Sequence, residues 1–411
     1  MTSSKQPTTH SSKIKARRKS NKKRQLEITL TFYTILLCLL SVYFERNQYF
    51  IATKNETIQR TRRDFQKDIV DQLGPKMFRR SYRMPIDTFN KLHHILQPQL
   101  HNYFFPKNGG SRNPVENSYL IDTKIRLSIA IRYFAGASAY DLMLTHGVCY
   151  RSIFYSIWGV VDCVNNCKEL EFHFPTLEEQ ADIASGFQKD SGAKFDHVVG
   201  AIDGILIWIL KPSKHESELI KIADGLFKCY RKDKFGMNMQ AICDHKLRIR
   251  WIDIRFPGNA SDYMSWATSS LCKRLDADEN GDVILKGKCI LGDNAYVKTH
   301  YMTTPYKYNV TPEKDSYNFY QSQLRIKIEC TFGVLVHRWA VLRSPLQFPL
   351  CKVTPIMSCL CRLHNFCIDE KEKKKCSIIE SSVDSDLIHL QAVVNNYNKK
   401  TNVGFHTVLW H

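Results

Sequence analysis

The first 25 residues contain no acidic side chain, and set nine Lys or Arg among Ser, Thr and Asn. Too poor in apolar groups to build a core, residues 1–25 read as a disordered basic tail. Acid is scarce in the chain as a whole. Its 40 Asp and Glu stand against 59 Lys and Arg, a formal charge of +19. That balance points to a polyanionic partner, nucleic acid first and an anionic membrane surface second. The 14 Cys lack the framework of a secreted disulfide scaffold, and 411 residues far exceed such scaffolds. The tightest cluster, "CLCRLHNFC" with Cys359, Cys361, His364 and Cys367, lacks the two separated pairs of a zinc site. It reads as reduced, buried thiols on a helix. Long apolar runs are nearly absent as well. The one uncharged stretch, Ile28 to Phe44 within residues 26–46, has seventeen residues, at the lower edge of a membrane span. Its basic flank suits a positive-inside anchor, and a buried first helix fits equally; the sequence leaves both open.

What the chain does have is a change of period. Residues 47–185 are mostly helical, as in "MPIDTFNKLHHILQPQL", where Phe89, Leu92 and Leu96 fall at helical spacing. Phe105 to Ser118 is a loop by its Gly, Pro and Asn. Then "SAYDLMLTHGVCYRSIFYSIWGVVDCV" suggests two helices about a turn at Gly147, a helix-turn-helix outline whose second helix carries Ser152, Tyr155 and Ser156. With Arg151 its one basic residue, that helix reads as a structural hairpin as readily as a DNA reader. From about residue 190 the pattern turns to strands. "VVGAIDGILIWIL", "FGMNMQAIC" and "LRIRWIDIRF" precede the helix "ASDYMSWATSSLCKRL"; the strand "KCILGD" and the helix "SQLRIKIECTFGVLVHRWAVL" follow. The order β, β, β, α, β, α predicts a mixed sheet with flanking helices.

Asp203 is the single charge in its thirteen-residue apolar run, and a buried carboxylate costs several kcal/mol unless compensated. Asp293 ends the fourth strand and Glu329 lies on the later helix. If the sheet brings these acids together, their repulsion calls for a hard divalent cation, Mg²⁺ or Mn²⁺.

Several blocks in fixed order carry a resemblance: "GAIDG", "YRKDKFGMNMQAICD", "FPGNASD", "ILGDNAY" with "TTPY", "YNFYQSQLRIKIECTFG", "HRWAVL" and "CRLHNF". From about Phe78 to Asp369 the sequence resembles the Harbinger-type (PIF/Harbinger) transposases and their domesticated nuclease relatives in the DDE superfamily. The resemblance implies an α/β, ribonuclease H-like nuclease domain over 190–369, preceded by the helical, helix-turn-helix-like domain and followed by a tail, 370–411. It implies Asp203, Asp293 and Glu329 as the catalytic, metal-binding triad, with 35 residues between the last two. Asp262 in "PGNASD" matches a further acid, either a metal ligand or an N-cap of the following helix. Arg325 either orients Glu329 through an i, i+4 pair or is a solvated charge. Two departures stand out: Gln321 where relatives often show His, and Val336 where they often show Lys, the latter a lost phosphate contact.

The implied chemistry is two-metal phosphodiester cleavage of DNA, with strand transfer as an extension. The Lys and Arg of 228–234 and 246–255 are candidate phosphate contacts, or else a solvated strand edge. Family habit adds a separate Myb-like DNA-binding partner, and a homo-oligomer is left open. The competing readings are a catalytically silent DNA-binding protein and a membrane-anchored protein of another role. The expected location is the nucleus, with a membrane, through 28–44, as the alternative.

Overall fold

The computed structural model describes residues 61, 63–105, 121–308 and 310–373. The basic tail, the hydrophobic segment 26–46, most of the Phe105 to Ser118 loop and most of 370–411 lie outside the described residues. The chain divides into two units, Met1–Thr61 and Arg62–His411, and every element named below belongs to the second. Among the described residues no helix is long and apolar enough to cross a membrane.

Among the described residues, six α-helices precede the sheet: α1 (Asp71–Tyr82), α2 (Ile86–Phe104), α3 (Thr123–Phe134), α4 (Ala139–His146), α5 (Tyr150–Asn166) and α6 (Leu177–Asp190). Helix α2 buries Phe89, Leu92, Leu96 and Leu100 completely, one stripe at three- and four-residue spacing. Helix α3 is buried on nearly every side and forms the middle of this layer. Gly147 closes α4 in the left-handed region (φ 61), where glycine carries no Cβ penalty, and lets the chain re-enter α5. In α5, Ser156 is fully buried and accepts from Arg126 Nη1 at 3.2 Å, so it cannot read a base. Tyr155 packs edge-on against Phe104.

The sheet follows: β1 (Val198–Trp208), helix α7 (Lys214–Ile220), β2 (Lys228–Cys229), β3 (Lys234–Cys243), β4 (Ile249–Pro257), helices α8 (Asp262–Ala267) and α9 (Ser270–Asp276), β5 (Cys289–Leu291), β6 (Met302–Thr303), then α10 (Pro312–Arg338) and α11 (Leu350–Lys373). Strand β3 pairs antiparallel with β1 and β4, while β5 is parallel to β1 and to β6. The order is therefore β4-β3-β1-β5-β6, with β2 on the first residues of β3. This open mixed sheet with flanking helices is the ribonuclease H-like α/β architecture. Strand β1 is covered on both faces, which explains its almost unbroken apolar run. The two-faced pattern of the "LRIRWIDIRF" strand reflects register shifts between β3 and β4. One apolar core runs from Phe65 through the helices and β1 to Cys367, and a smaller one, with Trp266 and Tyr296, fills the other face.

Helix α10 has 27 residues rather than about twenty, because Thr311 caps it, accepting from Lys314 N, and Pro312 opens it. It packs along β1.

Candidate active site

Strands β1 and β5 run in parallel with Ala201 opposite Leu291. Two residues further along each chain stand Asp203 and Asp293, so the register carries both acids to the same level. Beyond Leu291 strand β5 ends, and this edge of β1 opens. Asp203 turns its Oδ1 back onto the Gly204 N–H at 2.8 Å, and the Asp293 Oδ1 accepts from Ala295 N at 2.8 Å. Burial pushes the Asp203 carboxyl up to about 7. The charges of Asp293 and Asp262 add to the rise, while Arg325 and the Gly204 N–H oppose it. Asp203 is thus a buried carboxyl with two acids and Arg325 acting on it.

Glu329 projects from α10, where Arg325 Nη1 donates to its Oε1 at 2.8 Å. Arg325 is also the foremost positive charge acting on Asp203. The guanidinium thus stands in electrostatic contact with both acids, and the solvated-charge reading of Arg325 falls.

Asp262 arrives from the other face. The N-cap of α8 is Ser261, which accepts from Met264 N at 3.3 Å, so Asp262 is not the cap. Its Oδ1 instead accepts from Asn238 Nδ2 at 3.0 Å and from Gln240 Nε2 at 2.8 Å. Gln240 is itself held by Tyr296, whose hydroxyl donates to its Oε1 at 2.5 Å. Gly204 makes room for this group: a β-carbon there would land on Asp262 Oδ1 and stand 2.5 Å from Gln240 Nε2. The second Gly of "GAIDG" is thus a packing requirement. The sequence reading missed Asn238, Gln240 and Tyr296. Their signal is an Asn-x-Gln pair on one face of an otherwise apolar, buried strand.

Gln321 is fully buried and donates from Nε2 to the Gly292 carbonyl at 2.8 Å, anchoring α10 to the turn that carries Asp293. Val336 lies in the core at 8% exposure, so a phosphate contact is not available from its position. Of the basic segments, 246–255 is largely spent on ion pairs. Arg248 meets Asp369, Arg250 meets Asp244 and Glu179, and Arg255 meets Asp253. Asp244 is fully buried and pairs with Arg250 Nε at 2.8 Å. In 228–234, Lys228 pairs with Asp233 and Lys234 lies over Trp208. Arg231 and Lys232 are exposed and carry no ion pair among the described residues. Although the residue as a whole is exposed, desolvation of its ammonium and the charge of Arg231 pull Lys232 down, while the charges of Asp203 and Asp262 oppose the fall.

The donor set suits a hard cation: carboxylate oxygens, one of them raised in pKa by burial and, to a lesser degree, by Asp293 and Asp262. Among the described residues no group of three such ligands is already drawn together around one point. Asp203, Asp262 and Asp293 share one electrostatic neighbourhood, and Glu329 is engaged by Arg325. The acids offer the oxygen donors that a divalent cation takes. The "CLCRLHNFC" residues make no such site either. Cys359, Cys361, His364 and Cys367 are buried on α11, and His364 bonds the Leu247 carbonyl at 2.8 Å. Burial pushes the Cys361 thiol up to about 12.

Comparison with known proteins bears on the same segment. The DDE superfamily endonuclease family matches residues 202–365. Over 261 residues the chain is 23% identical to the proteins named "Putative nuclease HARBI1" of Bos taurus and Homo sapiens, and 24% identical to that of Rattus norvegicus. Each alignment covers 62% of this chain and 70% of the relative. No solved structure matches significantly.

Proposed function

We propose that this chain, whose residues 202–365 match the DDE superfamily endonucleases, is a divalent-metal-dependent DNA nuclease of the transposase-derived type. The observation that carries the reading is the level placement of Asp203 and Asp293 at the open edge of β1, beside a helix bearing Glu329. Asp203, Asp293 and Glu329 are the catalytic ligands in this reading, and Asp262 is a fourth acid of the metal site. Bound Mg²⁺ or Mn²⁺ supplies activation of the attacking water or 3′-hydroxyl and stabilisation of the leaving oxygen. The chain supplies the rest. Asp203 and Asp293 hold the cation-binding edge, Arg325 keeps Glu329 in place until it is needed, and Arg231 and Lys232 offset phosphate charge at the rim. Residues 190–369 form the nuclease domain on this account, and the basic tail 1–25 directs the protein to the nucleus.

Nicking of supercoiled plasmid in Mg²⁺ or Mn²⁺ tests the proposal. Wild-type protein nicks, and EDTA, Asp203→Ala and Glu329→Ala each abolish nicking. Binding of DNA without nicking in either metal favours the catalytically silent reading instead.

A further inference from the structure

We infer that Gln240, fixed by Tyr296, is a positioning residue that presents Asp262 as a one-oxygen ligand to the divalent cation; this rests on the nuclease reading above. Three polar side chains stand where a structural sheet would carry apolar ones. Gln240 is completely buried, Tyr296 is 4% exposed and Asn238 is 8% exposed. Burying such groups costs free energy unless each finds its partners, and here every one does. Gln240 Nε2 spends one hydrogen on Asn238 Oδ1 at 2.8 Å and the other on Asp262 Oδ1 at 2.8 Å. Asn238 Nδ2 donates to the Ala260 carbonyl at 3.2 Å and to Asp262 Oδ1 at 3.0 Å.

The chain of bonds runs on past Gln240 to a second buried partner. The Tyr296 hydroxyl donates to Gln240 Oε1 at 2.5 Å. Reversing the Gln240 amide would turn its carbonyl oxygen onto the Asp262 carboxylate, acceptor against acceptor. The acceptor-only carboxylate of Asp262 therefore fixes which end of Gln240 it meets, and Tyr296 holds the other end. Two N–H donors on one carboxylate oxygen hold the group still. No hydrogen bond from the described residues reaches the other oxygen, Oδ2. A carboxylate serving only to start a helix needs none of this, because Ser261 already caps α8. The arrangement is that of a ligand oriented by outer partners, whose loss commonly costs 10–100-fold in metal affinity.

The test is calorimetric titration of Mn²⁺ into the full chain without DNA, with circular dichroism and the melting midpoint as folding controls. Gln240→Met removes the donor at nearly constant volume, and Tyr296→Phe removes only the hydroxyl oxygen. The expected result is Mn²⁺ binding weakened about 10- to 100-fold in Gln240→Met, weakened less in Tyr296→Phe, and weakened most in Asp262→Asn. A folded Tyr296→Phe and Gln240→Met that bind Mn²⁺ like wild type, beside a weakened Asp262→Asn, would overturn the positioning role. Wild-type binding in Asp262→Asn, with loss in Asp203→Asn, would remove Asp262 from the metal site and overturn the inference while sparing the nuclease reading. No Mn²⁺ binding by the wild type would end both.

Discussion

Replacing Asp203 by Asn should make the metal-free protein more stable at pH 8 and leave it nearly unchanged near pH 4. In the folded chain the Asp203 carboxyl titrates at about 7 instead of its ordinary 3.8. Between those values the unfolded chain gives up this proton while the folded chain keeps it, so wild-type stability falls as pH rises through that window. Above about pH 7 the full cost is in place. Roughly three pH units at about 1.4 kcal/mol each give a ceiling near 4 kcal/mol. Asp203 keeps some contact with water at the open edge of β1, so about 2–3 kcal/mol is the expected gain. Asn has the same shape and no proton to lose. Urea midpoints of both proteins in EDTA, from pH 5 to pH 8, should diverge steadily in favour of the variant. Added Mn²⁺ should then close the gap by stabilising the wild type alone. Parallel midpoints at all pH values, or a variant less stable at pH 8, would refute the claim that burial and neighbouring acids raise this carboxyl.

Gly204→Ala should cost about 1–3 kcal/mol by overpacking and lose metal binding, because the new methyl would displace the Asp262 carboxylate; denaturation and Mn²⁺ titration check both. Arg231→Ala with Lys232→Ala should weaken DNA binding without sequence preference and reduce the salt slope by about 2, read from fluorescence anisotropy across a salt series. Gln321→Leu should leave the Gly292 carbonyl without its donor and destabilise the protein by about 1–3 kcal/mol, seen as a lower urea midpoint.

The strand pattern was legible because β1 and β3 are buried on both faces, so their apolar runs are long and a lone Asp203 stands out within them. Helix-level detail was less so. The length of α10 depended on Thr311 and Pro312, short-range signals that were available but upstream of its apolar pattern. The ion pairing of segment 246–255 was only partly legible: Asp244 and Asp253 lie close by in sequence, but Glu179 and Asp369 are remote, and charge composition says nothing of pairing at that distance. Asp262 kept two readings for a similar reason. Whether it capped α8 turned on Ser261, its immediate neighbour, but whether it served the acid site turned on Gln240 and Tyr296, brought in by a neighbouring strand and by the turn after β5.

The central claim is metal-dependent chemistry at the Asp203 and Asp293 edge, and its most direct test is incision of end-labelled duplex DNA with analysis of the new ends. Incision in Mg²⁺ or Mn²⁺ giving 3′-hydroxyl ends, absent in EDTA and in Asp293→Asn, is the predicted result. Incision that survives Asp293→Asn, or salt-sensitive DNA binding with no incision in either metal, would contradict it.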